Sequence, residues 1–509
     1  MRDPKTSVYF PDWLIVLALV LFVATVAVAE TPKPIAVEVN WNQTVLTLKT
    51  STTLQVVVNP MLRRGSPIHD GAFRSLHDVG ADYVRYVPWL PYPKLAVAEL
   101  QPPTASKTFW DFSLIDPMTE DFLSATQGHS VIVNFSTIPA WMFQTDKPVP
   151  YPDNPDTVDW NYTQGTELRD PSMRELGDYY ARLVDWYTRG GFTDELGRRH
   201  SSGHHYKIAY WEIFNEVEGE HHMTAKQYTE RYDAVAAAIH KVDPDIKFVG
   251  LALGDAGPHP DMVEYFLNHA NHRPGIPLDM ISYHFYATPT KAQSLDNWQY
   301  TFIDQANCFL ATVRRVEAIR KRLSPETRTT LDEIGSILPT DNTPDDAKGL
   351  IPPGYWNASG ALYAYVFIYT ARLGIDVVGE SQLVGYPSQF PSVSMVDWKV
   401  GNPNARLRVL DLLHRSFSPG DRLVSTKIAG TAVAAQAFLT PTGKKLLLVN
   451  KRNRDVAVTL PRSFDNGKMM AVDTTTGGSA PATSIVSGRQ VFLHPFAVCV
   501  VTGLSPLFE

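Results

Sequence analysis

The stretch Tyr210-Trp211-Glu212-Ile213-Phe214-Asn215-Glu216 decides how the rest of the chain is read. It has the length and the apolar, aromatic character of a strand buried on both faces, and it ends by presenting an amide and a carboxylate side by side. Working outward from it, extended to residues 208–214, seven further runs have the same character: 53–59, 83–87 and 130–135 before it, and 247–253, 279–283, 327–331 and 377–380 after it. Between these runs, residues 173–189, 224–242, 295–322 and 355–373 place apolar side chains at helical spacing, and the second of these stops before Asp243-Pro244. Eight alternations of strand and helix predict an α/β fold, a (β/α)8 TIM barrel over residues 53–401, in which chemistry collects at the C-terminal ends of the strands.

Beyond residue 402 the pattern changes to one helix, 405–415, followed by short strands such as 445–449, 456–460 and 491–501 with turn residues close between them. This predicts an antiparallel β-sandwich over 402–509, joined by strands from 30–52 ahead of the barrel. With 509 residues, 44% hydrophobic and 19% charged, the chain has ample material for such a core. A net charge of -7 without a run of Lys and Arg excludes nucleic acid as a partner. Two cysteines, Cys308 and Cys499, build neither a disulfide framework nor a thiolate metal site. The apolar run 13–29 closes on Ala27-Val28-Ala29, so residues 1–29 read as a signal peptide or as an uncleaved anchor in the membrane. Either places the remainder outside the cytoplasm: secreted, periplasmic or membrane-anchored. Sequons at Asn42, Asn134, Asn161 and Asn357 fit that placement, with Asn134 expected to stay unmodified inside the barrel.

The amide and carboxylate at the end of the quoted strand suit one chemistry well. Breaking a glycosidic bond needs an acid to protonate the leaving oxygen, and an amide that holds the sugar 2-hydroxyl gains strength as the oxocarbenium-like transition state forms. Glu216 fits the acid and Asn215 the clamp. A second carboxylate is expected from another strand end, and Thr329-Thr330-Leu331-Asp332-Glu333-Ile334-Gly335 offers Glu333, three βα units further on. Asp332 competes with it, because adjacent residues of a regular strand face opposite ways and one of the two should point inward. Arg85, ending the second strand, is expected to hold Glu333 ionised. His284 and Tyr286 follow the sixth run, beside Glu333. Trp89, Trp141 and Tyr386 are candidate walls for a sugar ring, Asn134 and Ser136 candidate polar contacts, and Glu380 a third carboxylate with no required role.

These segments resemble clan A glycoside hydrolases, and most closely family 39, the β-xylosidases and α-L-iduronidases. The likeness runs from Tyr83-Val84-Arg85-Tyr86 through Asn134-Phe135-Ser136 and Asn215-Glu216 to Ser282-Tyr283-His284-Phe285-Tyr286 and Glu333. It implies Glu216 as acid/base, Glu333 as nucleophile, an Arg placed like Arg85, and a β-xyloside or related carbohydrate as substrate. The chain departs from the family where Val217-Glu218-Gly219-Glu220 replaces the usual Pro after Asn-Glu, and where Asp332 replaces the common Thr or Ser before the nucleophile. Two carboxylates on strands four and seven are expected about 5–5.5 Å apart, the spacing of retaining enzymes.

Two other readings compete. One is a barrel that binds carbohydrate without cleaving it. The other is a metal-binding protein, suggested by His204-His205 and Glu220-His221-His222; no His-Glu-x-x-His spacing occurs, so no metal is expected and these histidines read as a solvated loop over the barrel mouth. Neither a P-loop nor a dinucleotide fingerprint is present, and no cofactor is expected. The oligomeric state is not encoded in any pattern found.

Overall fold

Each of the eight apolar runs is a strand of one closed parallel barrel. In the computed structural model, which describes residues 33–162, 164–339, 341, 351–385 and 390–503, these are β2 (Ser51–Val57), β3 (Val84–Val87), β4 (Val131–Val133), β7 (Tyr210–Glu212), β8 (Lys247–Leu253), β9 (Met280–Ala287), β10 (Arg328–Ser336) and β11 (Val377–Glu380). They neighbour one another in chain order, and β11 pairs with β2 to close the ring. The intervening β5 (Gly191–Thr193) and β6 (Arg199–Ser201) form a small separate hairpin. The apolar leader, residues 1–29, lies outside the described residues. Among the described residues no helix is long and apolar enough to cross a membrane.

The outer helices are α1 (His69–Val79), α2 (Asp116–Ala125), α3 (Arg174–Thr188), α4 (Ala225–Val242), α5 (Pro260–Leu267), α6 (Leu295–Leu323) and α7 (Pro353–Leu373). Local chemistry fixes several ends. Thr224 caps α4 in a reciprocal capping box with Gln227, and Ser294 with Asn297 does the same for α6. Gly80, in the left-handed region at φ 62°, ends α1 where a residue with a Cβ would be strained.

The C-terminal region begins with α8 (Ala405–Ser416) and continues as β12 (Arg422–Ile428), β13 (Val433–Thr440), β14 (Gly443–Asn450), β15 (Val456–Thr459), β16 (Lys468–Val472), β17 (Ala482–Ile485), β18 (Gln490–Leu493) and β19 (Val498–Thr502). The strand before the barrel, β1 (Ile35–Thr47), pairs antiparallel with β12 and parallel with β15, and so ties the two leaves of the sandwich together. Strand alternation divides β14 between two cores: Leu446 and Leu448 point into the sandwich, while Leu447 and Val449 join the barrel's own core. At that junction Phe438 packs against Phe417 with ring centroids 4.2 Å apart, and Arg372 of α7 donates to Gln436 at 2.8 Å. The sandwich is therefore packed on the barrel through its inner leaf.

Candidate active site

The site is built on Arg85, which leaves β3 fully buried and reaches three carboxylates and an amide. Its guanidinium donates to Glu212, Glu333 and, at 2.7 Å, to the Asn215 Oδ1, and lies 3.3 Å from Asp332. A guanidinium enclosed in this way stays charged, and the fork geometry fixes every group around it. Glu212 takes further bonds from Ser282 and, at 2.7 Å, from Asn134. Burial opposes its ionisation, but the Arg85 charge and these donors hold its carboxyl below the ordinary range.

Glu333 lies within β10, not after it, because both β9 and β10 run on past the ends expected from sequence. Gln55 donates to its Oε1 at 2.6 Å and Tyr286 to its Oε2 at 2.6 Å, in addition to Arg85. Burial pushes this carboxyl up, yet the charges of His284 and Arg85 outweigh it and keep Glu333 below its usual value, an ionised carboxylate. Asp332 does not turn away as regular alternation would require. The register shifts by a bulge between Thr330 and Glu333 against β9, and between Leu331 and Ile334 against β11, so both acids face the barrel interior. Burial and the negative charge of Glu212 drive the Asp332 carboxyl well above its ordinary range, which favours its protonated form.

Glu216 follows β7 in a strained backbone. Phe214 (φ 65°) and Glu216 (φ 40°) occupy the left-handed region, as do Leu251 (φ 78°) and Ala252 (φ 45°) on the adjoining strand, and the Glu216 N–H donates to the Ala252 carbonyl at 2.8 Å. Such strain persists only where packing enforces it, and it gathers at functional sites. A Cβ at Gly254 would lie 3.0 Å from the Glu216 carboxyl and press on it. His284 Nδ1 donates to Glu216 Oε1 at 3.0 Å, and one oxygen of Glu216, one of Glu333 and a ring nitrogen of His284 lie within 4.8 Å of one another. Although burial works against a charge on His284, Glu333 and Glu216 raise its pKa to about 9, so the ring is cationic at neutral pH.

A cavity of about 140 Å³ opens above these groups, with Asn215, Glu216, Glu333, Tyr286 and Gln55 on its polar side and Trp89, Ile337, Phe390 and Val393 on its apolar side. Trp160, from the long loop after β4, packs edge-on against Trp89 at 5.8 Å and Phe390 at 5.2 Å at this rim. The structure thus brings together Arg85, Asn215, Glu216, His284, Tyr286, Glu333 and Trp89. It sets three expected substrate contacts aside. Asn134 is fully buried, its amide spent on Glu212 and the Phe214 carbonyl, and Trp141 gives its indole N–H to Glu99 at 2.8 Å under the Arg169 guanidinium, away from the cavity. Ser136 is likewise turned inward onto the Pro88 carbonyl, and Glu380 is buried against Arg406 at 2.9 Å. Tyr386 lies outside the described residues.

Of the histidine-rich segments read as a solvated loop, His205 and His222 are exposed, whereas His221 is buried. His221 is enclosed between Phe143 and Phe214, and burial pushes its pKa down to about 3. Glu220, His221 and His222 do not converge on one point among the described residues, whereas His204 sits near Asp116 and Glu120 outside the cavity. Seven residues lining the cavity escaped the sequence reading, among them the apolar Val57, Val87 and Ile337. Gln55 is a polar side chain set among the apolar Leu54, Val56 and Val57 of β2; Gln382, Phe390 and Val393 come from the segment after β11, where no periodicity marks an inward side chain.

Comparison with known proteins bears on this architecture. The family model of the alpha-L-arabinofuranosidase 1 domain matches residues 158–305, and that of the C-terminal immunoglobulin-like domain of D-apionate lactonase matches residues 430–501. No curated protein matches the chain. Among solved structures, the GH51 arabinofuranosidase from Xanthomonas axonopodis pv. citri is similar at 12% identity, covering 92% of this chain and 99% of that one with a TM-score of 0.60. A glucosidase from Croceicoccus marinus is similar at 15% identity over 93% and 100% of the two chains, with a TM-score of 0.59. A GH30 endoxylanase from Clostridium papyrosolvens is similar at 13% identity over 92% and 100%, with a TM-score of 0.55. The likeness is one of fold: a (β/α)8 barrel carrying a C-terminal β-sandwich, the architecture of these glycoside hydrolases.

Proposed function

We propose that the chain is a retaining glycoside hydrolase acting by double displacement, with Glu333 as nucleophile and Glu216 as acid/base. The observation that carries this reading is the pairing of an ionised Glu333, held by Arg85, Gln55 and Tyr286, with a Glu216 oxygen less than 4.8 Å from it. Inverting enzymes need about 6.5–9.5 Å between carboxyl groups to admit a water, and the close approach of these two oxygens favours direct attack. In the first step Glu333 bonds to the anomeric carbon as the glycosidic bond breaks, and Glu216 gives its proton to the departing oxygen. In the second, Glu216 takes a proton from water, whose oxygen displaces Glu333 and regenerates the free carboxylate. His284, by donating to Oε1 of Glu216, leaves Oε2 as the oxygen that carries the transferred proton.

The glycosyl group is proposed to be a pentose. The family resemblance favours a β-xyloside, and the match over 158–305 favours an α-L-arabinofuranoside; in both, the leaving group stands trans to the 2-hydroxyl that Asn215 faces. Export through the apolar segment 13–29, cleaved or retained as an anchor, belongs to the same proposal and is tested by N-terminal sequencing of the mature protein. Nitrophenyl glycosides of arabinose, xylose, galactose, glucose and uronic acids, each followed by NMR of the first-formed sugar, test the reaction. Retention with a pentoside is expected; inversion, or turnover of none, would overturn the reading, and the second outcome would leave a carbohydrate-binding barrel.

A further inference from the structure

Resting on the proposed glycosidase reading, one carboxyl beside the two reacting ones remains to be accounted for. Glu220 follows Glu216 by one tight turn, in which the N–H groups of Gly219 and Glu220 both donate to the Glu216 carbonyl, at 2.8 and 2.7 Å. That turn carries the Glu220 side chain back against the site. Its Oε1 accepts from two residues that line the cavity: the Asn215 amide at 2.8 Å and the Trp89 indole N–H. Its Oε2 is shielded from solvent and meets no hydrogen-bond partner among the described residues. We propose that Glu220 is a positioning residue: it fixes the Asn215 amide so that its second N–H meets the sugar 2-hydroxyl, and it fixes the Trp89 indole as the wall beside that hydroxyl.

The geometry of Asn215 explains why such a group is needed. Arg85 holds Oδ1 from one side, and Glu220 takes one of the two Nδ2 hydrogens from the other, so rotation of the amide is stopped and the remaining hydrogen is aimed into the cavity. A charge in this place would face Glu216 and Glu333. Burial and the proximity of Glu216 push the Glu220 carboxyl well above its ordinary range, which favours a neutral acceptor at this place.

The test compares the best nitrophenyl pentoside with its 2-deoxy analogue in the wild type, E220A and E220Q. The ratio of kcat for the two substrates does not depend on how much of a variant folds, so destabilisation alone cannot change it. E220A is expected to lower that ratio on the order of tenfold to a hundredfold, because its loss falls on the substrate with the 2-hydroxyl. E220Q, which keeps an acceptor oxygen without a charge, is expected to restore most of the ratio. If E220A slows both substrates equally, or if E220Q fails as badly as E220A, the inference is wrong while the glycosidase reading stands. If the wild type cleaves neither substrate, the glycosidase reading falls and this inference with it.

Discussion

Glu333 and Glu216 are two carboxylates of one site placed in opposite surroundings. The Glu333 side chain is 9% exposed and accepts bonds from Arg85, Gln55 and Tyr286; that of Glu216 is 32% exposed, with His284 as its hydrogen-bond partner. The difference follows from what each must do. A nucleophile needs one protonation state and one orientation throughout, which the closed barrel interior enforces. An acid/base must lose and regain a proton in every turnover, which requires contact with water at the rim. Removing the rigid partner should break the comparison most completely. Glu333→Ala is expected to lower kcat on an aryl pentoside on the order of 10⁵-fold, with no covalent intermediate detectable by mass spectrometry after rapid quenching. A trapped glycosyl group in this variant would mean that another residue attacks.

Glu216→Ala attacks the mobile partner and should cost less, roughly 10²–10⁴-fold, because an activated nitrophenolate departs without protonation. Glu333 can then still be glycosylated, and the intermediate should accumulate. Added azide, small enough for the vacated space and needing no general base, is expected to restore turnover and to yield a glycosyl azide of retained configuration. Burst kinetics with and without azide, with NMR of the product, distinguish the two halves of the site; no rescue, or an inverted azide, would reverse the assignment of roles.

Much of this arrangement was legible in the sequence, for a physical reason. A strand buried on both faces must be apolar throughout, so eight such runs announced the barrel, and a polar residue at the end of one, as in Asn215-Glu216, had to be satisfied by function or by a partner. Glu212 carried the same signal and was read only as part of the strand, although a charge in its middle implies a partner such as Arg85. Asp332 departs from strict alternation because of a bulge that nothing in local composition marks. Asn134 and Trp141 stood at the right chain positions but turned to the framework, a choice made by neighbours distant in sequence. Phe390 and Gln382 reach the cavity from an aperiodic loop, where sequence spacing carries no directional information.

His284 links the two carboxylates and sharpens the comparison through pH. Its folded pKa of about 9 stands above the ordinary 6.5, so the stabilisation it contributes is fully present below about pH 6.5 and is lost as pH rises through 9. The shift corresponds to roughly 3 kcal/mol and draws first on Glu333, with Glu216 and Asp332 adding to it. Urea unfolding at pH 6 and pH 10 should show the wild type losing that much more stability than His284→Asn over the interval. Equal losses in the two proteins would mean that the ring is neutral in the folded state.

The smallest effect is expected at Asp332, the nearest neighbour of the rigid carboxylate. Arg85 and His284 supply two positive charges to the closed interior, and Glu212 and Glu333 two negative ones; an ionised Asp332 would add an uncompensated charge there at a cost of several kcal/mol. Its protonated carboxyl, 3.3 Å from Arg85 and 3.5 Å from His284, is matched in shape and charge by an amide. Asp332→Asn should therefore keep kcat within about tenfold of wild type, the span of a single uncharged hydrogen bond. Asp332→Ala should lose more, because it leaves space beneath the bulge that holds Glu333 in place. The two variants, compared on one aryl pentoside, separate volume from charge: if the asparagine form is as damaged as the alanine form, Asp332 is ionised and the charge balance around Glu333 is other than described, and a glycosyl label recovered on Asp332 would transfer the role of nucleophile to it.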